Sequence, residues 1–373
     1  MSPSAARLWR FEALDTWFFR ESRPHGSVGA AELASLFPPP ARTVAGAVRT
    51  LLGEVQGVDW RRFPGDYPDL QALIGLGDDL GALDLCGPFL MHDGERLYPA
   101  PLHLLEKRDG DAATYTRLRP GAPIVCDLGR VCLPEMVEAI SGAKPLEKVW
   151  LKAADLQRVL VGGVPEKPLR AAELYAAEPR LGIARNNARG TVEESMLYQT
   201  RHIRLREGVA VGVGVRGPAT LPTGGVLRFG GEGRPAAVRI GDACPQPQPV
   251  LPAKKGAGVL LMLLTHADLG GDWLPSGFAP REQDGATVWY GEIHGIGLCI
   301  HAACLGKPVR EGGWDLARNV PRAVAPLVPA GSVWFCTLDD PAKAASLHGA
   351  RIGKDTSLGR GELAVGTWQP KEA

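Results

Sequence analysis

The segment with the clearest capacity for chemistry is a short run rich in arginine and asparagine, Arg185-Asn186-Asn187-Ala188-Arg189-Gly190-Thr191. Each of the two guanidinium groups can hold a phosphate through two parallel hydrogen bonds. The asparagine amides can hydrogen-bond to base edges or sugar hydroxyls, and glycine lets a backbone come close. The segment therefore predicts contact with RNA, although standing alone it would be no more than a solvated loop.

A second candidate lies near the C-terminus, where basic residues alternate with glycines. Its residues are Gly349, Arg351, Gly353, Lys354, Gly359, Arg360 and Gly361. It is not a P-loop, because that motif has Ser or Thr directly after its lysine, and here Asp355 intervenes. Glycines interleaved with basic side chains, and followed by no helix, suit an extended polyanion; turn formation alone is the other interpretation.

A third candidate is one face of a predicted helix. Thr43 is a good N-cap residue, and the apolar residues that follow predict a helix from Val44 to about Leu52 with one apolar stripe. Gly46 and Arg49 fall on the opposite side, where bare backbone next to a guanidinium group could meet a phosphate.

Basic residues also surround a lone histidine in the loop that contains Arg20, Arg23 and His25. His25 could act as a general base in RNA cleavage. No acid partner is evident nearby, so contact with phosphate or sugar is favoured over catalysis.

One aromatic residue is a further candidate. Tyr198 could stack on a base or could lie buried in a hairpin.

Two further motifs predict no cofactor and no metal. Residues 212–217 match G-x-G-x-x-G, but Pro218 follows, so no helix is available to hold a pyrophosphate. Cys299 and His301 share one face of a predicted strand with apolar flanks, which favours a hydrogen-bonded core histidine over a metal ligand.

Composition favours a globular protein with many turns. Hydrophobic residues make up 45% of the chain, and it contains 47 glycines and 32 prolines. A net charge of +1 excludes a uniformly basic nucleic-acid wrapper. Charge is nevertheless segregated: residues 180–240 hold ten arginines against four glutamates, and residues 57–111 hold eleven acidic residues against five basic ones. No signal peptide or membrane span is evident, so we expect a cytoplasmic protein.

Local signals predict several elements. Residues 134–140 and 153–160 each predict a short helix, and Asp340 followed by Pro341 predicts the start of a further one. Residues 196–206 and 209–215 predict two strands of one hairpin, turning at Glu207-Gly208. The alternating prolines of residues 244–252 predict a stiff linker between two halves of the chain.

Several short motifs, taken in order, resemble one family. They are Leu14-Asp15-Thr16-Trp17-Phe18-Phe19-Arg20, Leu36-Phe37-Pro38-Pro39, the stretch 43–49, the stretches 181–185 and 193–198, Gly230-Gly231-Glu232-Gly233-Arg234, Gly312-Gly313-Trp314-Asp315, residues 328–333 and the glycine-spaced tail. Jointly they resemble subunit three of the type III-B (Cmr) CRISPR effector complex, of the RAMP superfamily. The resemblance is weakest over residues 57–178.

The resemblance implies an α+β fold with two ferredoxin-like (RRM-like, βαββαβ) domains. They would occupy residues 1–243, with a large irregular insertion at about 57–178, and residues 257–373, joined by a proline-rich linker at 244–256. Such a subunit would bind the 5′ handle of the crRNA. It would dock against the large polymerase/cyclase-like subunit and the backbone RAMP subunits, without forming a homo-oligomer or contacting a membrane.

The resemblance also implies that the chain is not itself an enzyme, and it places RNA contacts at the helix face, the Arg185–Tyr198 hairpin and the C-terminal glycine loop. Two alternatives remain open from the residues alone. One is a RAMP endoribonuclease that processes repeat RNA through His25. The other is a scaffold that binds only proteins.

Overall fold

The structure is a computed structural model that describes residues 6–21, 32–110, 112–186, 191–218, 222–242, 258–315 and 317–369. The chain forms two compact units. The first comprises residues 1–95, 171–244 and 310–325, and the second comprises residues 96–170, 245–309 and 326–373. The predicted linker at 244–256 lies outside the described residues.

Strands dominate the described structure. The helices are α1 (Ala41–Val55), α2 (Pro68–Ile74), α3 (Ala153–Leu160), α4 (Ala171–Leu174) and α5 (Ala344–Leu347), with 3-10 turns at Gly231–Gly233, Pro341–Lys343 and Thr356–Leu358. The strands are β1 (Arg7–Ala13), β2 (Glu32–Leu33), β3 (Asp84–His92), β4 (Glu95–Arg96), β5 (Tyr98–Pro99), β6 (Leu104–Asp109), β7 (Ala112–Cys126), β8 (Gly129–Met136), β9 (Lys144–Pro145), β10 (Val149–Leu151), β11 (Leu169–Arg170), β12 (Tyr175–Asn186), β13 (Thr191–Leu205), β14 (Val209–Arg216), β15 (Gly224–Arg228), β16 (Pro235–Gly241), β17 (Gly258–Leu263), β18 (Ala279–Gln283), β19 (Ala286–Ile293), β20 (Ile296–Cys304), β21 (Val309–Glu311), β22 (Trp314–Asp315), β23 (Val320–Pro321), β24 (Ala325–Leu327), β25 (Val333–Leu338) and β26 (Leu363–Trp368).

The first unit is built on an antiparallel sheet with the strand order β15-β16-β1-β14-β3. Trp9 and Phe11 alternate with polar residues on β1 and are fully buried, as a strand with one core-facing side requires. The apolar stripe of α1 packs against β15 and β3. Beside this sheet, β12 and β13 pair as a long antiparallel hairpin, and β2 adds to β13 in parallel.

The second unit contains a longer sheet with the order β26-β17-β25-β20-β19-β8-β7-β6-β9. Most of its neighbouring strands are antiparallel, whereas β19 and β8 run parallel. A second small sheet joins β5, β10 and β11, and α3 packs on β26 and β10. Leu260, Met262 and Phe335 are buried at the centre of one of the apolar clusters of this unit.

The prediction of two ferredoxin-like domains is wrong. Strands account for 48% of the structure and helices for only 15%, arranged in large curled sheets. A βαββαβ unit needs a helix in both crossovers. Among the described residues, each unit has only one of these two helices. In the first unit α1 follows β1, but the strand β15 stands between β14 and β16, where the second helix should be. In the second unit α5 precedes β26, but the strands β18 and β19 stand between β17 and β20, where the first helix should be.

The expected insertion is not irregular either. Residues 57–178 contain α2, α3 and a series of paired strands, including the 15-residue β7 and the 8-residue β8. Residues 96–170 belong to the second compact unit. Strands β6, β7 and β8 pair as successive antiparallel hairpins, and β8 also pairs with β19, far along the chain.

The free energy of unfolding is expected to decrease as the pH is lowered, because of a buried histidine in the second unit. His103 is 4% exposed, and its ring meets Phe335 edge-on at 5.9 Å between centroids. Its Nδ1 has no hydrogen-bond partner among the described residues. Burial, with a further effect from Arg117, lowers the pKa of His103 from 6.5 to about 3, so the folded chain keeps this imidazole neutral.

Because the folded-state pKa is depressed, the contribution of His103 is complete above pH 6.5 and is lost as the pH falls toward 3. By pH 5 the unfolded state gains about 2 kcal/mol from protonating this side chain. Denaturant unfolding of wild type and His103→Gln at pH 7 and pH 5 measures the effect. The variant should lose about 2 kcal/mol less than wild type over this interval; an identical loss in both proteins would contradict the assignment.

Candidate nucleic-acid interface

Helix α1 begins earlier than the sequence predicted. It runs from Ala41 to Val55 with Pro40 at the N-cap, so Thr43 lies inside the helix and does not cap it. Gly46 is exposed, and a Cβ placed there would meet nothing within 4 Å. Gly53, by contrast, is covered by the indole of Trp60. The open part of this face is therefore its N-terminal half, around Gly46.

Arg49 helps to hold a loop in the same unit. Its guanidinium group donates to the carbonyl of Gly77 at 3.0 Å and to the carbonyl of Asp79. Burial lowers the pKa of Arg49, and the nearby charges include the carboxylate of Asp79 and the guanidinium of Arg322. Arg49 thus supplies local positive charge, but each of its two terminal nitrogens already donates to a backbone carbonyl of residues 77–79.

Two more arginines meet beside Arg49. Arg42 and Arg322 both pair with the carboxylate of Asp78, Arg42 at 2.6 Å. Burial alone would raise the pKa of Asp78, but the combined effect of the two guanidinium groups is larger and opposite, so the pKa of Asp78 lies below its usual value. This cluster was not predicted, because 244 residues separate Arg322 from Asp78 in the sequence.

At the base of the β12–β13 hairpin, three arginines and three carboxylates form a balanced network. Arg180, Arg204 and Arg234 approach Asp15 at 3.0, 3.1 and 3.3 Å. The same three guanidinium groups also reach Glu178 or Glu232. Because positive and negative charges are equal in number, this network fixes the hairpin base and adds no net charge there.

A buried histidine completes that network. His202 is fully buried, its Nδ1 lies 3.0 Å from the Thr16 hydroxyl and its Nε2 lies 3.0 Å from Glu232. The ring of Phe18 stacks on the imidazole. Burial lowers the pKa of His202, although Glu232 opposes that shift. Thr16 and Glu232 lie in two of the short motifs, but their roles were not predicted, because their contacts with His202 join distant parts of the chain.

The predicted arginine–asparagine segment connects β12 to β13. Backbone pairing runs to Arg185 opposite Val192 and Asn186 opposite Thr191. Asn187 and Arg189 lie outside the described residues. Tyr198 is 38% exposed, and its ring lies over Gly182 on the paired strand. The predicted hairpin partner was wrong: residues 196–206 pair with β12, and residues 209–215 pair with β1 and β3 in the other sheet.

The C-terminal glycine loop is closely packed in the second unit. A Cβ on Gly353 would meet the carbonyl of Asp268 at 2.4 Å, and one on Gly361 would meet the carbonyl of Ile352 at 1.9 Å. The carbonyl of Gly359 accepts a hydrogen bond from the Thr265 hydroxyl at 2.8 Å, and the N–H of Gly349 donates to Leu363. These glycines bring parts of the chain together, which is the turn interpretation considered above.

The basic residues of this loop differ from one another. Arg360 is 2% exposed and its guanidinium lies 3.0 Å from Asp355. Arg351 donates to the carbonyl of Thr356 at 2.8 Å. Lys354 is exposed. Within this loop, the side chain of Lys354 is thus the basic group most open to a polyanion.

The N-terminal basic loop is described only in part. Arg20 is exposed and its backbone bridges to Ser35. Arg23 and His25 lie outside the described residues. The helix face and the β12–β13 hairpin belong to the first compact unit, and the C-terminal loop belongs to the second.

Solved structures offer distant fold similarities. A chain in a cryo-EM structure of the type III-B Cmr-beta complex, bound to cognate target RNA and AMPPnP, shows 16% identity over 88% of this chain and 86% of its own, with a TM-score of 0.46. A chain in a crystal structure of a Csm3–Csm4 subcomplex of the type III-A interference complex shows 11% identity over 88% of this chain and 92% of its own, with a TM-score of 0.39. No curated protein matches.

Within the described residues, no helix is both long and apolar enough to cross a lipid bilayer. Residues 9–368 match the family described as CRISPR-associated protein (Cas_Cmr3). This match spans nearly the whole chain and confirms the resemblance that the short motifs indicated. The chain therefore belongs to the Cas_Cmr3 family of CRISPR-associated proteins.

Proposed function

We propose that this Cas_Cmr3-family subunit of a type III CRISPR effector holds the 5′ handle of the crRNA and catalyses no reaction itself. The observation that carries the proposal is the β12–β13 hairpin. The end of the hairpin at which the two strands connect, residues 181–192, contains two arginines and two asparagines and no acidic residue, and Glu193 and Glu194 follow it on β13. At its base, the charges of Arg180, Arg204 and Arg234 are already neutralised.

The chemistry of this arrangement suits single-stranded RNA. Arg185 and Arg189 would neutralise phosphates, and Asn186 and Asn187 would hydrogen-bond to unpaired bases or 2′-hydroxyls. The exposed ring of Tyr198 on the same hairpin offers a stacking surface. The open backbone at Gly46 and the exposed Lys354 are further proposed contacts, one in each unit.

In the proposed assembly, the large polymerase/cyclase-like subunit and the backbone RAMP subunits are the protein partners. The acidic segment 57–111 would repel RNA and is therefore free to contact proteins.

Charge reversal at the hairpin tests RNA binding. In the reconstituted effector, R185E/R189E should lower guide retention at least about ten-fold, because two phosphate contacts become repulsive. The matched control is R61E/R62E, which makes the same charge change at two exposed arginines in the acidic segment. Retention is measured as RNA bound per purified complex. Equal retention in the two double variants would contradict the proposed function.

The absence of catalysis is tested separately with repeat RNA. The purified chain, incubated with repeat RNA in the presence of a chelator, should leave the RNA intact. Metal-independent cleavage that disappears in His25→Ala would instead establish the endoribonuclease alternative.

A further inference from the structure

The segment 310–325 presents an exposed tryptophan among basic residues. Trp314 is 54% exposed, although tryptophans in folded chains are highly buried on average. Arg310 and Arg318 in the same segment are exposed as well. Its two acidic residues, Glu311 and Asp315, are only 4% and 3% exposed. The surface that this segment offers is therefore aromatic and positive.

Asp315 organises the turn that carries the tryptophan. Its Oδ1 accepts hydrogen bonds from the backbone N–H of Ala317 at 3.0 Å and of Arg318 at 3.1 Å. Across the turn, the indole Nε1 of Trp314 donates to Oδ1 of Asn319 at 3.3 Å. The exposed ring is thus oriented before any partner arrives, which lowers the entropic cost of binding.

An ion-pair chain ties this segment to helix α1 within the first unit. Arg322 pairs with Asp315 at 3.2 Å and also with Asp78, which in turn pairs with Arg42 of α1 at 2.6 Å. The backbone of Trp314 pairs with Pro321, directly before Arg322. The tryptophan-bearing turn is therefore fixed beside the helix whose exposed Gly46 is part of the proposed RNA surface.

We propose that Trp314 stacks on an unpaired base of bound RNA while Arg310 and Arg318 contact the flanking phosphates. This inference rests on the proposed function and adds a second RNA-binding element to it. Aromatic rings beside guanidinium groups bind single strands in this way, because every base has a face to stack on and each phosphate carries a charge. A protein partner would instead bury the exposed Val320 and Val324, and the test below separates the two.

The test measures affinity of the full chain for a fluorescent single-stranded RNA that carries the 5′ handle. Trp314→Ala should weaken binding about ten-fold, and Trp314→Phe should remain within about three-fold of wild type, because phenylalanine also stacks. R310E/R318E should reduce the dependence of log affinity on log salt by about one unit or more. The control is Trp60→Ala, which removes another exposed tryptophan of the first unit. Thermal melting checks that each variant is folded.

Each outcome is decisive. Wild-type affinity in Trp314→Ala, together with loss of binding in R185E/R189E, would overturn this inference and leave the proposed function standing. Full affinity in every variant, or no RNA binding by wild type, would remove the proposed function as well. Loss of a protein subunit from the complex of Trp314→Ala, with RNA affinity unchanged, would make the segment a protein-docking element and would also overturn the inference.

Discussion

Replacing Arg96 with methionine is expected to lower the free energy of unfolding by about 3–5 kcal/mol. Arg96 and Glu362 are 3% and 1% exposed, and they pair through two hydrogen bonds of 3.1 and 2.6 Å. The guanidinium also lies over the ring of Tyr98 at 4.9 Å. Without Arg96, the Glu362 carboxylate would stay buried without its bidentate partner, and that desolvation cost is the main loss.

The matched variant is the double substitution R96M/E362L, which removes both charges. It should recover a large part of the stability lost in R96M, because no lone buried charge remains. Chemical denaturation at pH 7 measures all three proteins. An R96M midpoint equal to that of wild type would contradict the buried pair.

Gly361→Ala is expected to destabilise the second unit by about 3 kcal/mol or more. Gly361 has φ +75°, and a Cβ there would lie 1.9 Å from the carbonyl oxygen of Ile352. Its N–H also donates to the carbonyl of His266 at 2.9 Å, so the backbone has no room to shift. Both the left-handed conformation and the close carbonyl therefore penalise alanine.

The control separates these two penalties. Gly285 has φ +72°, but a Cβ at that turn would meet nothing within 4 Å. Gly285→Ala should therefore cost only about 1 kcal/mol, the conformational part alone. Equal losses in the two variants, measured by thermal or chemical unfolding, would show that the packing around Gly361 is not as described.

The sequence predicted those secondary-structure elements that are marked by residues within the element itself. The helix at residues 153–160 matches α3, and Asp340 accepts a hydrogen bond from the N–H of Ala342 where the 3-10 turn at Pro341–Lys343 begins. The helix predicted at residues 134–140 was wrong, because Gly129–Met136 forms β8. A cap, a proline at the first position and an apolar stripe act within one or two turns. These features depend on neighbours in sequence, so the printed chain suffices to find them.

Strand pairing could not be predicted in this way. Residues 196–206 and 209–215 are both strands, as expected, but they join different sheets because β12 competes successfully for β13. The ferredoxin-like topology was implied by the resemblance, and it was wrong because strands stand where a second helix was expected in each unit. Strand β15 lies between β14 and β16, and the hairpin of β18 and β19 lies between β17 and β20.

For the candidate site, the sequence predicted which segments are rich in arginine and glycine, but not which residues these arginines and glycines contact. Arginine density located the β12–β13 hairpin, but the sequence did not show that Arg180 is paired with Asp15, 165 residues away. It also did not show that Arg360 and the adjacent glycines build the C-terminal loop itself. Trp314 is part of one of the short motifs, but its exposure was not predicted, because exposure is a property of the folded chain.

The most direct test of the central claim is to map the crosslinks between this chain and the guide in the assembled effector. Irradiation of the complex, followed by sequencing of the RNA and peptide mapping, should place the 5′ handle on peptides that contain residues 181–198. Guide crosslinks confined to the other subunits, with none on this chain, would contradict the account.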